Sequence, residues 1–176
     1  KILSKIIINA AGRHSSNLSE KYLKKDNSPT SNPVLGYYLI YKKKNFINKI
    51  IYSALEPGKI EERVDATPMI SGNLLFGPSV EKFDEKKMQL LSPSKILNRF
   101  TSVIKRNFPS IDINKIKPYS FGIRPKIKIK NQLHDDFHFK YHKKNNWLDI
   151  MGLESPGLTS SLAVGKHVKK ILEVKS

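Results

Sequence analysis

The sequence predicts an α+β fold: a mainly antiparallel sheet carrying one long helix, flanked by strand and helix pieces that belong to a second, incomplete sheet. Three observations lead there. Short alternating segments separated by turn residues run from Gly36 to Val80, the pattern of hairpins. Residues 93 to 108 carry apolar side chains at three- and four-residue spacing, the pattern of an amphipathic helix. Two apolar stretches with no alternation, around Ile6–Ile8 and Trp147–Met151, stand at opposite ends of the chain and have the look of strands covered on both faces.

Taken in order, "KIIINAAG" is a β-branched strand ending in small residues that allow close backbone approach. Its apolar centre resembles that of a signal peptide, but Asn9 ends it and no cleavage-like sequence follows. Ser15 to Lys25 predicts a short helix with Leu18, Tyr22 and Leu23 inward, and "DNSPTSNP" breaks it. About four strands follow: "GYYLIY", a solvated tip "KKKN", "KIIYSAL", the turn "EPGK", "ERVDATPM", the turn "SGN" and "NLLFGPSV". The long helix uses Ile96, Leu97, Phe100, Val103, Ile104 and Phe108, with Pro93 near its start and Pro109 closing it. "YSFGIRPKIKIK" and "DFHFKYHK" then predict a further hairpin with a basic face. "NNWLDIMGL" is a buried strand, and Leu158 to Leu172 a last helix. The chain is expected to form a single folded unit, with 1–32 and 146–176 in one sheet and 33–145 in the other.

Composition narrows the function. A hydrophobic fraction of 39% over 176 residues supports a packed core rather than disorder. The formal charge of +17 invites nucleic acid, but it comes from 27 Lys and only 5 Arg, scattered along faces and turns. Base and phosphate recognition favours the bidentate guanidinium, so nucleic-acid binding ranks last. The absence of cysteine excludes a disulfide framework and thiolate chemistry and is compatible with a reducing, cytoplasmic setting. No run approaches the roughly 20 apolar residues of a membrane span.

Two segments could carry chemistry. In "GLESPGLTSSLAVGKHV", Gly152 to Val168, a buried strand delivers a turn in which Ser155 can cap, Pro156 suits a first helical turn and Gly157 admits close approach. The outcome is either an ordinary capped helix or a helix start whose N–H groups stabilise negative charge. In "GIRPK", Arg124 is either a surface cation or a bidentate grip on a carboxylate. The histidines of "HDDFHFKYH" make a poor metal site, since His138 and His142 would stand about 13 Å apart along a strand. No P-loop, GxGxxG fingerprint or Ser-His-Asp order is present.

The segments "IIINAAGRHSSNLS", "NPVLGYYLIY", "ERVDATPMISGNLLFGPSVE", "YSFGIRPK", "DDF" and "LDIMGLESPGLTSSLAVGKHV" fall in the same order as segments of the FAD-dependent D-amino-acid-oxidase-like superfamily. The chain resembles most the branch of L-2-hydroxyglutarate oxidases and dehydrogenases. The resemblance implies that 33–145 is a substrate domain and that the flanking pieces belong to an FAD-binding domain. It implies that Arg124 grips the carboxylate of a small 2-hydroxy acid. It further implies cofactor contacts at Gly12, Gly122, Ser155, Gly157, Leu158 and Thr159, with the last three facing the pyrimidine edge of the flavin, where a positive helix end stabilises the reduced form.

Three departures qualify what the resemblance implies. The family's dinucleotide-binding fingerprint has no counterpart here. Leu35 stands where the family usually shows Arg, and Asp65 stands where its pattern places a reaction-centre His. A carboxylate at 65 repels an anionic hydroxy acid unless it is protonated. The expectation is therefore a C-terminal part of an FAD-dependent 2-hydroxy-acid oxidoreductase, from a split gene or truncation. It would retain no FAD alone and would be inactive without an N-terminal FAD-binding partner half. The alternative is a decayed split-gene remnant serving as a non-enzymatic, dimerising domain.

Overall fold

The computed structural model describes residues 3–23, 28–43, 46–54, 63–84 and 90–174. The turn expected at "EPGK" and the end of the "KKKN" tip lie outside the described residues. The first stretch supplies β1 (Ile7–Asn9), α1 (Ser15–Leu23) and β2 (Thr30–Ser31). The middle supplies β3 (Val34–Tyr41), β4 (Ala66–Pro68), β5 (Leu74–Phe76), β6 (Glu81–Lys82), α2 (Pro93–Asn107) and β7 (Ile116–Arg124). The last supplies β8 (Ile127–Ile129), β9 (Gln132–His134), β10 (His138–His142), β11 (Trp147–Met151) and α3 (Ser161–Glu173). The fold is α+β with mostly antiparallel sheets, as the sequence predicts.

The chain divides into two compact units, Val34–Ile123 and the combination of Lys1–Pro33 with Arg124–Ser176. Residues 124–145 thus group with the terminal pieces, whereas the sequence pattern put them with the central hairpins.

In the central unit β3 is the spine. Leu39–Tyr41 pair with β5, Val34 and Leu35 pair with β6, and β7 also pairs with β3. α2 closes the unit through Ile96, Phe100, Val103 and Ile104, the stripe read from sequence, and Phe76 meets Phe108 edge to face at 5.3 Å. The core is dominated by apolar side chains and includes Leu35, Leu39, Tyr41, Leu74 and Phe100, all almost completely buried. Leu35, the departure noted at "PVLGYY", is a core residue with 2% of its surface exposed.

The other unit has two three-stranded sheets, β1-β11-β10 and β2-β8-β9. β1 pairs parallel to β11 with Ile8 opposite Leu148 and Asn9 opposite Asp149. The parallel pairing matches the reading of the Ile run, but coverage does not: Ile6, Ile7 and Ile8 are 38%, 46% and 47% exposed. β1 is an end strand here, and its isoleucines are only partly covered among the described residues. β11 is buried at all five positions.

α1 corrects the sequence reading in detail. Its buried residues are Ser15, Ser16 and Ser19, while Tyr22 is exposed. Part of the reason is Asp149, 1% exposed in the middle of β11. Its Oδ1 accepts from Asn9 Nδ2 (2.8 Å) and Trp147 Nε1 (2.6 Å), and its Oδ2 accepts from the Ser19 hydroxyl (2.7 Å). His142 Nε2 lies 2.9 Å from Oδ2. A buried carboxylate is tolerable only when its lone pairs are met; Ser19 turns inward to help meet them, while the Ser15 hydroxyl donates to the Gly12 carbonyl and that of Ser16 to the Met151 sulfur.

The hairpin expected from "YSFGIRPKIKIK" and "DFHFKYHK" does not form as one unit. The first part extends β7 along β3, and β10 pairs instead with β11. The hairpin lies between them, β8 to β9, around Lys130 and Asn131 with φ of 50° and 64°, the left-handed pair that a two-residue turn demands.

Candidate functional site

Arg124 is the last residue of β7, and Pro125 follows it, ending the strand so that Lys126 leads into β8. At the other end of the same unit, β11 delivers Gly152 at φ 70°, where an added Cβ would meet Asp136 O at 3.1 Å, so a side chain there is both strained in its backbone and crowded. The chain then turns through Leu153–Ser160. One side chain joins the two segments. Glu154 Oε2 accepts from Arg124 Nη1 at 3.3 Å and Oε1 accepts from Lys126 Nζ at 2.8 Å. Lys126 also reaches Asp135 Oδ1 at 3.1 Å. Burial pulls the Lys126 ammonium down, but hydrogen bonds to Glu154 and Asp135 and their charges outweigh it and hold it above its ordinary range. A cavity of about 250 Å³ lies against Lys126, Glu154, Gly152, Phe137 and Ser160.

The loop after β11 differs from the capped helix start read from sequence. α3 begins at Ser161, not Leu158, and Pro156 follows a cis peptide in the turn rather than opening the helix. Ser155 makes no cap, and Ser160 at the cap position satisfies no helix N–H with its side chain. Gly157 is needed for another reason: its N–H bonds to the Glu154 carbonyl, and a Cβ there would lie 2.6 Å from that oxygen. The N–H groups of Leu158 and Thr159 take no acceptor among the described residues. Leu158 itself is 91% exposed. Gly12, at φ 59° just past β1, has open space where a Cβ would project.

The structure therefore brings Arg124, Ser155, Gly157, Leu158, Thr159 and Gly12 into one unit. Asp65 and Gly122 belong to the central one. Gly122 lies in β7 with nothing within 4 Å of an added Cβ. Asp65 is buried and fully engaged: Arg63 Nε donates to both oxygens at 3.1 and 3.0 Å, Arg63 Nη2 stands 2.8 Å from Oδ2, and the Ser53 N–H donates to Oδ1 at 3.2 Å. The hydrogen bond to Asp65 holds the Arg63 guanidinium above its usual range despite partial desolvation. The charge of Asp65 is thus answered locally by Arg63, two residues away.

Sequence reasoning missed Glu154, Lys126 and Asp149. Asp149 had a visible signal, a lone carboxylate in an otherwise apolar strand; Glu154 had none, because its partners lie 28 and 30 positions away. Among the described residues no three His, Asp or Glu side chains gather as a metal site, and no helix is long and apolar enough to cross a membrane.

The model of the FAD dependent oxidoreductase family matches residues 2–171. The mitochondrial L-2-hydroxyglutarate dehydrogenase of Arabidopsis thaliana is 28% identical over 188 residues, covering 96% of this chain and 38% of that protein. Glycerol 3-phosphate oxidase of Mycoplasma genitalium is 32% identical, covering 98% of this chain and 44% of that protein. Among solved structures, FAD-bound L-alpha-glycerophosphate oxidase of Mycoplasma pneumoniae superposes with a TM-score of 0.74 at 25% identity, over 96% of this chain and 43% of that one. The chain spans about two fifths of the length of these relatives. With a family model matching almost end to end and the fold agreeing, the chain belongs to the FAD dependent oxidoreductase family.

Proposed function

We propose that this chain forms the substrate-facing part of an FAD-dependent oxidoreductase that oxidises the secondary alcohol of a small anion, with L-2-hydroxyglutarate as the first candidate, and that it works together with a dinucleotide-binding segment in the same or a separate chain. The observation that carries the reading is the Arg124–Glu154 ion pair, which ties the "GIRPK" cation to the loop holding the free Leu158 and Thr159 N–H groups. A cation beside free backbone donors is what a negatively charged substrate and an electron-rich acceptor both require.

The residues present fit FAD: the Leu158 and Thr159 N–H groups are the donors that would hold its pyrimidine edge, and the open space at Gly12 admits close approach by a ligand. When bound, FAD supplies the two-electron acceptor for alcohol oxidation. Arg124 retains N–H donors to hold and orient the substrate's anionic group.

A second reading, glycerol 3-phosphate as substrate, is favoured by the 32% identity to the Mycoplasma genitalium oxidase. Both candidates are secondary alcohols with an anionic group for Arg124. The test is to co-express residues 1–176 with the dinucleotide-binding segment of that oxidase and follow the flavin absorbance. Retained flavin that bleaches anaerobically with L-2-hydroxyglutarate supports the first reading. Bleaching with glycerol 3-phosphate alone selects the second, and flavin that neither bleaches overturns both.

A further inference from the structure

Arg124 and Lys126 stand beside two carboxylates, Glu154 and Asp135, so the four charges cancel. An incoming anion is therefore not gathered by a local excess of positive charge. What distinguishes it must be the hydrogen-bond donors that remain available and the direction in which they point.

Those donors are set by Glu154. Its side chain is only 15% exposed, unlike the solvated Lys169–Glu173 pair at 76% and 62%. Lys126 holds Oε1 at 2.8 Å and is itself braced by Asp135 at 3.1 Å. Glu154 is thus a fixed post, and its backbone is fixed too, through the Gly157 N–H. Arg124, at 34% exposure looser than either Lys126 or Glu154, leans on that post through Nη1. A guanidinium offers five N–H donors in a plane. With Nη1 tied to Glu154, the opposite Nε and Nη2 edge takes no partner among the described residues, and that edge matches a carboxylate or phosphate with two parallel bonds.

We infer that Glu154, braced by Lys126, is a positioning residue that fixes the plane of the Arg124 guanidinium and so keeps its Nε/Nη2 edge open to the substrate's anionic group. The inference rests on the reading of Arg124 above and adds to it a residue that acts only through Arg124. Glu154 touches no substrate; its effect is on affinity.

The test uses the ¹⁵N-labelled chain, whose five arginines give five Nε–H signals. Without any anion, a held Arg124 shows slow rotation about its Nη bonds. L-2-hydroxyglutarate, and inorganic phosphate as a second probe, then shift the Arg124 Nε–H signal as they bind. In Glu154→Gln the slow rotation is lost and both probes bind about five- to tenfold more weakly, while the backbone amide spectrum stays dispersed. Lys126→Met, which removes the brace and leaves Glu154 charged, shifts both readouts in the same direction by less. Glu154→Asp, one methylene short, falls between the wild type and the Gln variant. Unchanged Arg124 rotation in Glu154→Gln, or unchanged probe affinity with rotation lost, overturns the positioning role. Slow rotation in the wild type with no response to either probe overturns instead the reading of Arg124 as an anion grip, and the positioning role falls with it. If Glu154→Gln does not fold, Lys126→Met decides by the same two readouts.

Discussion

The two compact units are organised around different kinds of buried group. The central unit closes an apolar core between β3, β5 and α2, with Leu39, Phe76 and Ile104 at 0% exposure. The other unit buries Asp149, Asn9, Ser15, Ser19 and His142, and leaves Ile6, Ile7 and Ile8 partly in solvent. The first arrangement stabilises itself through removal of apolar surface from water. In the second, a polar node specifies which strands and helix meet, and the apolar strand beside it faces outward. The part of the chain with the candidate site is therefore the part with the less self-sufficient core.

The largest blow to this contrast falls on the apolar side. Phe100→Ala removes a ring that is 2% exposed and should cost about 3–5 kcal/mol in urea denaturation. Trp147, the only tryptophan, lies in the other unit, so its fluorescence reports that unit while far-UV circular dichroism reports both. If the units are distinct in stability as well as in contact, Phe100→Ala lowers the midpoint seen by circular dichroism more than the midpoint seen by Trp147. Equal shifts by both probes would show a single cooperative structure instead.

Next comes the polar node. Asp149→Asn keeps the volume but turns an acceptor into a donor facing donors from Ser19 and His142 or from Asn9 and Trp147. Unmatched buried groups cost about 1–3 kcal/mol each, so a loss of about 2–3 kcal/mol is expected, read in the Trp147 transition. A variant as stable as the wild type would mean that the node does not organise its unit.

These two sites also show how far the sequence could be read. The stripe of α2 was legible because a 3.6-residue period is a local signal, written by Ile96, Phe100, Val103 and Ile104 within one segment. β11 was legible for the same reason. The inward face of α1 was not, because Ser19 and Ser16 face inward toward partners remote in sequence, the Asp149 carboxylate 130 positions away and the Met151 sulfur 135 positions away. The split between β7 and β10 escaped because strand pairing is non-local, and only the Lys130–Asn131 turn determines which segments fold back on one another. Of the candidate site, the motifs marked Arg124 and the loop at Gly157, but the Glu154 side chain that links them came only from the coordinates.

A smaller effect separates the apolar strand from the apolar core. Ile7→Thr on β1 changes a residue that is 46% exposed, and should alter the stability of the chain by no more than about 0.5 kcal/mol. Ile104→Val, which removes one methyl from a fully buried residue, should cost about 1 kcal/mol. Joined to a dinucleotide-binding segment as proposed, the chain should become more sensitive to Ile7→Thr. An unchanged cost there would mean that β1 stays uncovered in the assembled enzyme.

The last effect is nil at neutral pH and emerges only on acidification. His138 on β10 is half-buried, and its Nε2 has no hydrogen-bond partner among the described residues. Burial, followed by the nearby charges of His134, Lys140 and His142, pulls its pKa below the ordinary histidine range, and the opposing pull of Asp149 does not restore it. The unfolded chain therefore binds this proton more readily than the folded one, and stability falls as pH drops through the ordinary histidine range near 6.5. Above that range the ring is neutral in both states and contributes no slope. His138→Gln should leave the Trp147 transition at pH 7.5 nearly in place and flatten its decline between about pH 6.5 and 5. A decline as steep in the variant as in the wild type would show that His138 is not the source of the acid sensitivity.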